Sequence, residues 1–88
     1  MNLYLLSQTI NKGHDTFDSC IVCAETEQEA KTFHPDTNCT YSPIDGKFPG
    51  EIKYSTWVID TNDIQIQKIG AAIEGRKKGI VLASFKSG

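Results

Sequence analysis

Eighty-eight residues hold one domain, because a second independent core does not fit in so short a chain. Apolar residues at 39% and charged residues at 23% are globular proportions, which exclude a disordered or fibrous chain. A net charge of −2 lacks the basic balance that grips nucleic acid by neutralising phosphate, and no apolar run nears the roughly 20 residues that cross a bilayer.

The charge is uneven. Residues 1–44 carry two lysines against six acidic residues, whereas residues 45–88 carry seven basic and five acidic ones. Three cysteines are an odd number and too few to staple a secreted domain, so reduced thiols in a cytoplasm are expected. The start, Met1 to Gln8, has no basic leader and turns polar after Leu6, which predicts no signal peptide.

In chain order, Leu3-Tyr4-Leu5-Leu6 opens a strand predicted over residues 3–10. Asn11-Lys12-Gly13-His14-Asp15 is turn chemistry, since Asn and Gly tolerate positive φ and Asp bonds its own backbone. A second strand is predicted over about 17–24, with Phe17, Ser19, Ile21 and Cys23 on one face and Asp18, Cys20, Val22 and Ala24 on the other. Thr26-x-x-Glu29 has capping-box spacing, and Glu25, Glu27 and Glu29 suit the positive end of a helix dipole. The helix should be short, about 27–34, because Pro35 disfavours helical backbone at His34. Ala30 and Phe33 are its natural inward pair.

Residues 35–51 are rich in proline and glycine, and Asp45-Gly46 predicts a tight turn between Tyr41 and Phe48. Residues 52–59 alternate as a strand, with Tyr54, Thr56 and Val58 opposite Trp57 and Ile59. Asp60 to Asp63 reads as a turn. Ile64 and Ile66 continue the period while Ile69 breaks it, which predicts a bulge or twist near Lys68. A basic turn, Glu74 to Gly79, leads into a last strand from Ile80 to Phe85. The expected fold is α+β: an antiparallel sheet of about five strands carrying one short helix, in the order ββαβββ.

Cys20-x2-Cys23-x10-His34-x4-Cys39 has the ligand types of a structural zinc site. Cys20 and Cys23, however, are three apart in a strand and so face opposite ways, where zinc pairs sit on tight turns. Buried inert thiols are the better reading, with no metal and no cofactor. Redox chemistry fares worse, because the helix begins after Cys23 and acidic residues intervene. Cys39 with His34, or His14 with Asp15, lacks the third orienting group of a catalytic set, so no enzyme is expected. Gly70-x4-Gly75-Arg76-Lys77 fails as a phosphate loop, having no Gly-Lys-Ser/Thr and no following helix. Lys68, Arg76, Lys77 and Lys78 remain as alternative phosphate contacts, and a solvated turn is the plainer reading.

Gly13-His14-Asp15-Thr16-Phe17-Asp18-Ser19, the Thr-x-x-Glu-Ala helix and the ending Gly79-Ile80-Val81-Leu82-Ala83-Ser84-Phe85-Lys86-Ser87-Gly88 resemble small hypothetical proteins of phage and bacterial genomes. In size and style the chain is also similar to phage-encoded inhibitors of bacterial immunity of the anti-CRISPR type. The resemblance implies a non-catalytic, stoichiometric inhibitor of a bacterial defence protein or nuclease in the host cytoplasm. The expected partner surface combines Asp15, Asp18 and Glu27 with the aromatics Tyr41, Phe48, Tyr54 and Trp57, charge speeding encounter and aromatics anchoring. The rivals are a nucleotide-like ligand at Arg76–Lys78 and a zinc-stabilised module. No membrane or nucleic-acid partner is expected, and a homodimer through a sheet edge is open to the fold.

Overall fold

A computed structural model describes residues 1–11, 13, 15–36, 43–48 and 56–86. Four strands, β1 (Asn2–Ser7), β2 (Thr16–Ala24), β3 (Gln65–Ala71) and β4 (Gly79–Lys86), form an antiparallel sheet in the order β3-β1-β2-β4. One helical turn, α1 (Glu27–Ala30), follows β2, and a 3-10 turn at Thr61–Asp63 precedes β3. The α+β class is as expected, with four strands among the described residues rather than about five. No helix among them is long and apolar enough to cross a membrane.

Of the strand expected over 52–59, residues 52–55 lie outside the described residues and 56–59 do not form a strand. Residues 56–59 are bent, and the neighbours Trp57 and Val58 are both buried rather than alternating in and out. Backbone and side-chain bonds hold this stretch over the core. The Phe17 amide donates to the Thr56 carbonyl at 2.8 Å, the Phe48 amide to Ile59 at 2.6 Å, and Asn11 Nδ2 to Trp57 at 3.1 Å. The Thr61 amide donates to the Gly46 carbonyl at 2.8 Å. Asp45-Gly46 turns as the sequence indicated: both residues have positive φ, and Ile44 and Lys47 exchange amide-to-carbonyl bonds of 2.8 and 3.0 Å.

One face of the sheet carries the core. Tyr4 and Leu6 from β1 and Cys20, Val22 and Ala24 from β2 pack with Ala30, Phe48, Trp57, Val58 and Ile64. The helix does seat through Ala30, with Phe33 half-buried against the same cluster. It is shorter than the predicted 27–34. Beyond Lys31 the chain tightens to bonds three residues apart, Thr32 to Glu29 and Phe33 to Ala30, as Pro35 approaches. Thr26 Oγ1 accepts from the Glu29 amide at 3.1 Å, and Glu29 Oε1 reaches back to the Glu25 amide at 3.0 Å, one residue beyond the usual capping-box partner.

Three irregularities set which side chains face outward. Ile69 falls between the paired Gly70 and Lys68 of β3, at the bulge its parity suggested. Asp18 is the extra residue in β2, between Phe17 and Ser19, which moves Phe17 to the core side against Phe85, ring centroids 4.9 Å apart. The expected grouping of Phe17 with Ser19 and Ile21 is thereby corrected. Val81 is the extra residue in β4, so Ile80 packs on the core while Leu82 turns to the opposite face.

Candidate functional site

The expected partner surface does not assemble as read. Phe48 and Trp57 are core residues, 3% and 0% exposed, and cannot anchor a partner. The Pro- and Gly-rich surroundings suggested exposure, but the folded 44–48 and 56–60 stretches form the lid of the core rather than a surface loop. Tyr41 and Tyr54 lie outside the described residues, as do Cys39 and His14. Asp15 and Asp18 are exposed at the start of β2, and Glu27 is exposed beyond its end. At about 3.3 Å per strand residue, Glu27 stands roughly 30 Å from Asp15 and roughly 20 Å from Asp18 along β2, so the acids do not make one patch.

Among the described residues, the candidates Cys20, Cys23 and His34 are also dispersed. Cys20 belongs to the core cluster, whereas Cys23 lies outside it with its sulfur 4.0 Å from that of Met1. Two thiols on opposite sides of one strand cannot close on a single ion. Burial pushes the Cys20 thiol up to about 12, which opposes the thiolate that metal binding and redox attack both require. His34 is buried edge-on to Phe48 at 5.2 Å, and its Nδ1 accepts from the Asp36 amide at 3.1 Å. That nitrogen is committed to a backbone turn rather than free to act as a base.

Burial holds the His34 imidazole below its ordinary value, with Asp36 opposing. The unfolded imidazole, near 6.5, then binds a proton more readily than the folded one. Stability is therefore lost as pH falls through that value. Urea unfolding at pH 7.5 and 5.5 should show the lower midpoint at pH 5.5, and His34→Gln should shrink the difference. An unchanged difference in the variant would assign the effect elsewhere.

The basic residues split. Arg76, Lys77 and Lys78 line an open hollow of about 420 Å³ with Ile73, Glu74 and Ile80, while Lys68 lies away on β3 and is not part of it. Lys78 pairs with Glu29 across 3.1 Å, and the Glu25 amide together with this contact holds the Glu29 carboxyl below its usual range. Arg76 and Lys77 make no ion pair among the described residues. Such a wide-mouthed hollow, with one acid in its own lining, does not enclose a small ligand as ligand pockets do.

What the structure does present is the outer face of the sheet. Pairing aligns Leu5 with Ile21 and Ile21 with Leu82, a row of three branched apolar side chains on adjacent strands. Beside it Ser7, Ser19 and Ser84 align in a second, polar row. A shallow hollow of about 180 Å³ lies among Leu5, Ile21, Leu82 and the two serines Ser19 and Ser84. Leu82 is 64% exposed, and no described element covers the row. The sequence reading missed Leu82 because simple alternation through β4 does not anticipate the Val81 bulge. No family model matches the chain, and no curated protein or solved structure matches it either.

Proposed function

We propose that the domain is a non-catalytic protein-binding module that acts by stoichiometric attachment through the outer face of its sheet. The Leu5–Ile21–Leu82 row carries this reading. An antiparallel sheet with one face on the core usually gives its other face to polar residues. Three apolar side chains in register break that rule where solvent would otherwise reach them. Burying one such side chain against a partner gains about 1.5–3 kcal/mol, and the adjacent serine row supplies hydroxyls for orientation. The dispersal of Cys20, Cys23 and His34 favours binding over catalysis. The resemblance in size and style to phage-encoded inhibitors adds the target class: a bacterial defence protein or nuclease met in the host cytoplasm.

Affinity capture from bacterial lysate, followed by reconstitution with the purified partner, tests the reading. Leu82→Lys should leave the unfolding midpoint nearly unchanged, as exposed substitutions do, within about 0.5 kcal/mol. It should weaken a one-to-one complex by about tenfold or more. If Leu82→Lys binds like the parent, and nucleotides bind in a manner that requires Arg76 and Lys77, a small-ligand function replaces this one.

A further inference from the structure

The two edges of the sheet differ. β3 presents Gln65, Gln67 and Lys68, polar and charged residues of the kind that guard an edge against pairing. β4 runs Ile80-Val81-Leu82-Ala83-Ser84-Phe85 without a charge before its last residue, Lys86, and no described strand pairs with its outer side. Its inner side is already paired. There β4 takes β2 antiparallel, Cys23 opposite Gly79 and Ile21 opposite Leu82. The apolar run of β2 passes directly into Glu25, Glu27 and Glu29. The helical turn α1 that follows sets Glu29 against Lys78, the last residue before β4.

We infer that the outer edge of β4 is a second docking site, for an antiparallel extended segment of a partner protein whose apolar residues run into a C-terminal acidic cluster. Charge selects this occupant. Glu29 of α1 neutralises Lys78, while Arg76 and Lys77 are exposed, free of ion pairs among the described residues, and just precede β4, where an antiparallel segment on its edge would end. Exposed Ile73 and Glu74 share that hollow, so the segment's acids would meet two cations against one resident acid. A second β4 is a poor occupant, since the chain carries no acid from Gly75 to Gly88. Backbone pairing would supply affinity, and alternate side chains and the acidic end would supply direction. The site lies on the edge rather than the face, so it stands or falls separately from the Leu82 test.

The probe is a fluorescent peptide with the sequence of residues 17–29 carrying Cys20→Ala and Cys23→Ala, titrated with the full chain. Saturable binding is expected, weakened about tenfold when its three glutamates become lysine. Arg76→Glu with Lys77→Glu should reverse that preference, favouring the lysine peptide. Strand amides alternate in direction, so N-methylation at residues 20 and 22 blocks one edge of the peptide and at 21 and 23 the other. One methylated set should abolish binding and the other should preserve it. Equal binding of both sets, or of a scrambled peptide, would overturn the proposal. So would sedimentation of the free chain as a dimer protected from exchange along β4, which would make a second copy the occupant.

Discussion

Trp57→Ala should unfold this domain or bring it close to unfolding. Trp57 is fully buried and sits in the cluster that joins the sheet face to the 44–48 and 56–60 stretches. Removing a buried indole costs about 3–5 kcal/mol from lost transfer energy and the cavity left behind. A domain this small has only roughly 5–10 kcal/mol in total. The neighbouring bonds make collapse into the cavity difficult, because Thr56, Trp57 and Ile59 carbonyls each hold another element in place. Urea titration followed by far-ultraviolet circular dichroism measures the loss. A stability loss of less than about 1 kcal/mol would mean that this stretch is not seated on the core as described.

Trp57 also marks where sequence pattern stops being informative. The strand over 52–59 was inferred from alternation, yet Trp57 and Val58 are buried side by side. Alternation reports a flat sheet with one wet face, and a bent segment lying across a core can bury consecutive residues. The features fixed by local chemistry were legible: the Thr26 cap, the Asp45-Gly46 turn and the bulge at Ile69. Each depends on a few adjacent residues. Phe48 and the exposed Leu82 were not legible, because their placement depends on tertiary docking and on the Val81 bulge. Acidic residues close in sequence pointed to one patch, but a strand of nine residues carries its ends apart.

The hairpin loop between β1 and β2 rests on one glutamine. The first strand was expected to run to residue 10, but it ends at Ser7, and Ile10 is exposed. Gln8 explains the stop. Its side chain is buried at 4% exposure, with Nε2 donating to the Asn11 carbonyl at 2.6 Å and to the Phe17 carbonyl at 2.8 Å, while Oε1 accepts from the Asn11 amide at 2.7 Å. The amide thus closes a turn over residues 8–11 and ties it to β2 beside the bulge at Asp18. Parity with inward Tyr4 and Leu6 was the available sequence signal for its burial. Gln8→Ala would strip two carbonyls and one amide of their partner, which costs about 2–4 kcal/mol when the groups stay buried. Gln8→Glu separates polarity from pairing, since a carboxylate still accepts from Asn11 but donates to neither carbonyl. At pH 7 the glutamate variant should therefore be no more stable than the alanine variant, and hydrogen exchange should quicken at Asn11 first. A glutamate variant as stable as the parent would show that the two donated bonds contribute nothing, and the turn would have to be held by the backbone alone.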